Sequence, residues 1–135
     1  MKRTTEDAGK LLVRVTLAGL ILFHGAHKLA YGISPIRDML ASHGVPGIAA
    51  YGVYIGEVVA PLLLLLGVYV RLTGLLVAGN MIVAVLLVHT SQFFTLTSAG
   101  GWSLELQFFY FASGLAVALL GAGRYSFAPP NKKWN

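Results

Sequence analysis

The sequence predicts an all-α, integral membrane four-helix bundle with both termini in the cytoplasm. Three observations support this prediction: an apolar composition, four apolar stretches of spanning length, and basic residues gathered at one end of those stretches. Hydrophobic residues make up 56% of the 135 residues and charged residues only 11%, whereas a soluble domain has about 25% charged residues. The polar surface is too small to cover a water-soluble globule, which excludes intrinsic disorder and argues against a soluble enzyme.

The four apolar stretches define the predicted spans. A hydrocarbon core of about 30 Å requires about 20 helical residues, and open strands cannot cross lipid because their backbone groups stay unpaired. The spans are predicted at about residues 11–30, 48–67, 73–92 and 104–121 of a single domain covering residues 1–135. Gly67 and Gly121 are expected at helix C-termini, where a left-handed residue is favourable. Ser103 is expected as the N-cap of the fourth helix.

A short amphipathic helix is predicted between the first two spans. Ser34-Pro35 is typical of an N-cap followed by a first-turn proline. Ile36, Met39 and Leu40 then repeat at helical spacing. We expect this helix to lie on the outer membrane interface.

The basic residues predict the orientation. Cytoplasmic loops of membrane proteins carry the excess of Lys and Arg. Eight basic residues belong to the side of the termini, namely Lys2, Arg3, Lys10, Arg14, Arg71, Arg124, Lys132 and Lys133, against Lys28 and Arg37 on the other side. We therefore expect a multi-pass protein of the cell inner membrane with both termini in the cytoplasm.

Polar side chains inside the spans are the candidate site residues. An ionisable residue at the centre of a span costs about 2.5–3.5 kcal/mol on insertion scales, so it indicates function by default. Seven such groups converge on the predicted outer half of the bundle: His24, His27, Lys28, Glu57, His89, Glu105 and Gln107. Glu57 is expected roughly 14 Å deep. His24, His27 and Lys28 stand at i, i+3 and i+4 in the first span and therefore share one helix face.

Several of these residues also have structural interpretations. Glu57 could simply neutralise Lys28 and lock the bundle, and His27 could extend to the interface without a partner. Glu105 is stabilised by the dipole of its helix in the first turn. The sequence alone leaves these alternatives open.

Pro61 and Asn80 provide two further local expectations. Pro61 cannot donate a backbone hydrogen bond and clashes with the Glu57 carbonyl, so it is expected to kink the second helix beside the acid. The freed carbonyl groups then need partners, which favours a ligand or water pocket at that point. Asn80 is expected to bond across helices with Thr73 or Ser113.

Three segments resemble the DoxX family of small membrane proteins. They are FHGAHKL at 23–29 after Arg14, the pair Gly56-Glu57, and LGVYVRLTG at 66–74. Members of this family include the small subunit of an archaeal thiosulfate–quinone oxidoreductase, partners of a complex linking thiol metabolism to superoxide defence, and proteins induced by catechols and quinones. The resemblance implies a redox-associated membrane protein, with Gly25, Lys28, Glu57 and Arg71 matching the family pattern.

The leading functional prediction is a membrane subunit that binds a quinone or quinone-like molecule. Quinone chemistry needs a proton carrier beside each carbonyl, and a histidine with a carboxylate supplies them. The predicted binding residues are His24, His27, Lys28, Glu57, His89 and Glu105. No electron carrier is evident, so the chain is expected to be a non-catalytic subunit that needs a protein partner or a second copy of itself.

Two other classes of function remain open. One is a non-enzymatic membrane anchor or assembly partner whose polar cluster is structural. The other is a cofactor site, with a divalent metal on His24, His27 and Glu57 or a haem between His89 and a first-span histidine. The absence of cysteine excludes thiolate sites. Nucleic acid is not an expected partner, because no basic, aromatic-interleaved face exists.

Overall fold

The computed structural model describes residues 2–129 and 133–135, with side chains from Thr4 onward in those ranges. The protein is 74% helical, which confirms the all-α class. The described residues form no β-strand, and Leu96 and Trp102 make an isolated antiparallel bridge. Among the charges used to predict orientation, Lys132 and the side chains of Lys2 and Arg3 lie outside the described residues.

The described residues form five helices of nine or more residues, and a short 3-10 turn at Thr90–Gln92. The five helices are α1 (Lys2–Tyr31), α2 (Ser34–Ser42), α3 (Gly47–Leu66), α4 (Val70–Val88) and α5 (Glu105–Leu120). Three of them, α1, α3 and α4, are long and apolar enough to cross a membrane, whereas α5 is apolar but has only 16 residues. The chain is therefore a membrane protein with three helices of full spanning length and one shorter apolar helix.

Helix α3 changes its winding along its length. It starts as a 3-10 helix at Gly47–Tyr51, passes through one α-helical turn, widens into a π-helical turn at Ile55–Val59, and ends as an α-helix at Ala60–Leu66. Pro61 follows the π-helical turn directly. Sequence analysis predicted a kink beside Glu57, and the feature observed there is a π-helical turn, which is frequent at functional sites.

The tight turn between α3 and α4 depends on a left-handed residue. Gly67 has φ 70° and ψ 41°, which confirms its predicted role at a helix C-terminus. A Cβ at Gly67 would lie 2.6 Å from the Cβ of Ser126, so a larger residue has no room there. Gly121 also has a positive φ of 72°, but its ψ of −173° is extended rather than left-handed helical.

The helix predicted between the first two spans forms with a different N-terminus from the predicted one. Ile33, not Ser34, is the N-cap residue of α2, and no side chain caps the helix. Pro35 lies in the first turn as expected. Leu40 is buried with Ile33 and Ala50, so α2 packs its apolar face onto the start of α3.

The start of α5 also differs from the prediction. Leu104 is the N-cap residue, and its side chain is almost fully buried. The Ser103 hydroxyl instead accepts a hydrogen bond from Thr95 Oγ1 at 2.8 Å. Ser103 therefore closes the preceding loop and does not cap the helix.

Arg14 and Arg71 hold the C-terminal segment against the helices. Arg14 is only 2% exposed, and its guanidinium donates to the carbonyl oxygens of Ala122 and Tyr125. Arg71 Nη1 donates to Ala118 O at 2.9 Å. Both residues were expected only as topology signals or family matches, whereas their side chains bond the C-terminal part of the chain.

The outward helix surfaces are apolar. Large hydrophobic side chains stay exposed on every long helix, for example Leu12, Phe23, Leu62, Leu75, Leu86 and Leu119. Such a surface is stable only in an apolar solvent, so it indicates direct contact with the lipid bilayer.

Candidate functional site

A cavity of about 720 Å³, here called the main cavity, lies at the end of the bundle away from the chain termini. All five helices contribute to its wall. Its size falls within the range of about 300–1,000 Å³ that is typical of small-molecule sites. The wall is mainly aliphatic, and its polar side chains are His24, Lys28, Glu57, Asn80, His89, Gln107 and Tyr110.

Lys28 and Glu57 form an ion pair at the wall of the main cavity. The side chain of Glu57 is 9% exposed and that of Lys28 is 22% exposed. A buried carboxylate is costly unless it is paired, so the contact with Lys28 offsets the cost of burying Glu57 inside the bundle. The Tyr54 hydroxyl donates to the Lys28 carbonyl at 3.2 Å and joins α3 to the end of α1.

The backbone of α1 lies directly against the backbone of α3 beside this ion pair. A Cβ on Gly25 would contact the Glu57 carbonyl oxygen and would lie 2.8 Å from Val58 Cγ2. This oxygen has no amide four residues later to accept from, because that residue is Pro61. Gly25 is therefore needed for close approach, which brings Lys28 within reach of Glu57.

Asn80 and Gln107 bring buried amide atoms to the same wall. Among the residues that the structure describes, Asn80 Nδ2 and Gln107 Oε1 are both buried and have no hydrogen-bond partner. Asn80 Nδ2 therefore lacks the predicted bond to Thr73 or Ser113. Thr73 lies seven residues before Asn80 on the same helix, and its hydroxyl donates to the carbonyls of Tyr69 and Val70 at 3.0 and 3.1 Å. Buried amide atoms are normally bonded, so these two need partners from outside the described protein.

The close packing of α4 on α5 sets the spacing of these two amides. A Cβ on Gly74 would lie 2.7 Å from Gly114 O, and one on Gly114 would lie 2.8 Å from Gly74 O. Asn80 lies six residues after Gly74, and Gln107 lies seven residues before Gly114. In this antiparallel register the two amides therefore lie at the same end of the interface, each roughly 10 Å along the helix axis from the glycine contact.

Two histidines and a tyrosine complete the polar wall. The ring of His24 meets that of Tyr110 edge to face, with centroids 6.2 Å apart. His89 Nδ1 lies 3.1 Å from Gln92 Oε1.

His27 and Glu105 do not line the main cavity. His27 is exposed and packs its ring on Tyr31, with centroids 4.6 Å apart. Glu105 is exposed, and its carboxylate faces the backbone of Gly101. The structure therefore brings together His24, Lys28, Glu57 and His89 from the predicted set and leaves these two residues outside.

The alternative metal set is not assembled. In residues 2–129 and 133–135, no group of three or more His, Asp or Glu side chains is placed to hold a metal ion. His24 and Glu57 face the cavity, but His27 points elsewhere, and the Glu57 carboxylate already bonds the Lys28 ammonium.

Two polar residues of the wall were not expected there: Asn80 was assigned to helix packing, and Tyr110 was not a candidate. Gln107 was expected among the converging polar groups but not among the binding residues. A glutamine in an otherwise apolar helix was the available signal for Gln107. Nothing in the sequence showed that Met39 and Leu40 of α2 would also line the cavity.

Comparison with known proteins links most of this site to one family. A family model described as DoxX matches residues 9–90. That range includes His24, Lys28, Glu57, Asn80 and His89 but ends before α5. No curated protein and no solved structure matches the chain.

Proposed function

The chain belongs to the DoxX family, and from this premise we propose that it is a redox-associated membrane subunit that binds a quinone or quinone-like molecule in the main cavity. The family supports a membrane protein associated with redox or stress-related processes. The cavity supports the narrower proposal, because it combines an aliphatic wall with a small number of convergent polar groups.

The proposed membrane arrangement has four spans within a single domain of residues 1–135 in the inner membrane. Helix α5 is the fourth span, and its 16 residues correspond to about 24 Å. A span shorter than the hydrocarbon core is accommodated by local thinning of the bilayer. The charge distribution supports cytoplasmic termini, which would put the main cavity in the extracytoplasmic half.

The two unpartnered amide atoms are the observation that supports a quinone best. A buried polar atom without a partner costs about 1–3 kcal/mol. Asn80 Nδ2 is a donor and suits a quinone carbonyl, whereas Gln107 Oε1 is an acceptor and suits the hydroxyl group of the reduced ring. A ligand with a flat apolar ring and polar atoms on its edge would satisfy both amides and fill the cavity.

The charged groups would supply protons to such a ligand. Lys28, Glu57 and His24 all line the main cavity and can exchange protons with a reacting oxygen. We propose that a partner subunit, bound to this chain directly or through a second copy of it, supplies the electrons that reduce the quinone. In that arrangement this chain binds the quinone and supplies the protons taken up on reduction, and it is not catalytic alone.

Ligand binding in lipid nanodiscs tests the proposal. Titration with a methyl-substituted benzoquinone is expected to show binding to the wild type and about fivefold weaker binding to Asn80→Ala and Gln107→Ala, since each loses one hydrogen bond. Glu57→Gln and His24→Ala should also weaken binding while the protein stays folded. Ser113→Ala removes a polar group of α5 outside the cavity wall and serves as the control. Unchanged affinity in all four cavity variants would disprove the site.

A membrane anchor or assembly partner is the second candidate function. It is favoured by the ion pair itself, because Lys28 and Glu57 neutralise each other and so can act as a purely structural lock. Mass spectrometry and a visible spectrum of protein purified in mild detergent separate the two functions. A stoichiometric quinone, haem or metal that is lost in Glu57→Gln supports a binding site. A stable wild type without small molecules but with a bound protein supports the anchor.

A further inference from the structure

A second, smaller cavity lies between α4, α5 and the loop that joins them. It has a volume of about 190 Å³, and we call it the aromatic cavity because Phe93, Trp102, Phe108 and Phe111 line it. These rings follow one another in contact, with centroids 6.2 Å apart for Phe93 and Trp102 and 5.8 Å apart for Trp102 and Phe108. The volume is below the range for a whole drug-sized ligand, so the cavity fits only part of one.

The wall of the aromatic cavity offers no free hydrogen-bonding group except at one end. The indole N–H of Trp102 already donates to the Phe93 carbonyl at 2.8 Å. Gln107 is the exception, and it also lines the main cavity. A dry apolar space of this kind accepts hydrocarbon and not a polar group.

The two cavities share part of their walls. Met81, Leu86 and Gln107 line both of them. Leu86 is also 61% exposed on the lipid-facing surface of α4, and Phe108 is 56% exposed on α5. A molecule in the main cavity can thus continue past Gln107 into the aromatic cavity, and from there toward the lipid.

We propose that the aromatic cavity holds the apolar chain of the molecule whose ring occupies the main cavity. The ligand class is then a lipid-soluble quinone that carries a hydrocarbon chain, and not a small water-soluble catechol or quinone. This inference rests on the proposed function. Gln107 stands where ring and chain join, so its amide bonds the ring edge while its aliphatic part lines the chain path.

Two benzoquinones that differ only in a decyl or a methyl substituent test the chain site. Both are titrated in nanodiscs and compared at equal mole fraction in the lipid, which removes the effect of partitioning. We expect the decyl compound to bind the wild type about fivefold more tightly. The gain is modest because lipid is as apolar as the cavity and only closer packing is added.

Val85→Phe is the diagnostic variant, because Val85 lines the aromatic cavity but not the main cavity. It is expected to abolish the advantage of the decyl compound and to leave methyl-benzoquinone binding unchanged. Retained binding of the methyl compound also shows that the variant is folded. Leu75→Phe is the control, since Leu75 lies on the same helix, is 47% exposed and lines neither cavity.

A decyl benzoquinone with a photoreactive diazirine at the end of its chain locates the chain independently. Labelling is expected on peptides that contain Phe93, Trp102 or Phe108. Equal affinity of the two compounds, or labelling of α2 instead, would overturn the chain site while the proposed function stands. Failure of the wild type to bind either compound would overturn both.

Discussion

The carbonyl oxygen of Glu57 lies against the backbone of Gly25, and this single contact sets the distance between α1 and α3. Gly25→Ala should lower the free energy of unfolding by about 1–3 kcal/mol, because the added methyl group has no space. Gly19→Ala is the matched control on the same helix, since a Cβ there meets nothing within 4 Å. An alanine at Gly19 should be neutral or stabilising, because glycine costs about 0.5–1 kcal/mol in a helix. Thermal unfolding in detergent measures both, and equal melting temperatures would refute the contact.

The two members of the ion pair should respond differently to substitution. Lys28→Met leaves the 9%-exposed Glu57 carboxylate without its partner, and removing one member of a buried pair costs about 3–5 kcal/mol. Glu57→Gln should cost less, because the Lys28 side chain is more exposed and long enough to reach the interface. A double-mutant cycle of unfolding free energies measures the coupling. Additive effects of the two substitutions would show that the pair does not interact energetically.

At the level of secondary structure, the π-helical turn Ile55–Val59 places Glu57 where an α-helix would not. Because residue 61 is a proline, the Glu57 carbonyl lacks the amide donor that a regular α-helix would supply four residues later. A Cβ on Gly56 would lie 2.6 Å from Asn80 Cγ, so α4 also packs directly on this turn. The Glu57 carboxylate, the Glu57 carbonyl and the Asn80 amide of α4 therefore lie close together at this irregular turn of α3.

The α4–α5 interface depends on two facing glycines. Gly74→Ala should destabilise the protein by about 1–3 kcal/mol, because the new Cβ would lie 2.7 Å from Gly114 O and 2.9 Å from Ala118 N. Gly79→Ala on the same helix introduces the same methyl group where nothing lies within 4 Å. We expect a lower melting temperature for Gly74→Ala and no decrease for Gly79→Ala. A similar loss for both would mean that helix flexibility, and not close packing, requires these glycines.

For the whole molecule, the distribution of basic residues predicts the orientation in the membrane. The eight-to-two distribution of basic residues predicts that both termini face the cytoplasm. Reporter fusions at the C-terminus and in the loop after Val88 are expected to report opposite sides. A C-terminal reporter on the outside would overturn the charge argument and would move the main cavity to the cytoplasmic half.

The buried arginines affect how the whole chain is held together. Arg14 and Arg71 bond carbonyl oxygens of the C-terminal part of the chain, and Asp7 accepts from the Arg124 amide at 3.3 Å. These contacts hold residues far apart in sequence at the end of the bundle opposite the main cavity. Sequence reasoning gave Arg14 a role in topology alone, because a positive residue near a span end is normally solvated.

The sequence by itself determined the features that depend on composition and on local chain geometry. The apolar stretches determined the membrane class, Gly67 determined a left-handed turn, and Pro61 determined an irregularity beside Glu57. The amphipathic pattern of 34–42 likewise determined a helix. Each of these follows from a residue's own backbone preference or from periodicity within one segment.

Only the tertiary structure decided which polar side chains share a cavity. Helices α4 and α5 are apolar on nearly every face, and lipid supplies no hydrophobic gradient to show which face turns inward. The rotation of each helix therefore depends on close contacts such as Gly74 with Gly114 and Gly25 with Glu57. Those contacts bring Asn80 and Gln107 into the site and leave His27 and Glu105 outside it, which no spacing within a single helix could determine.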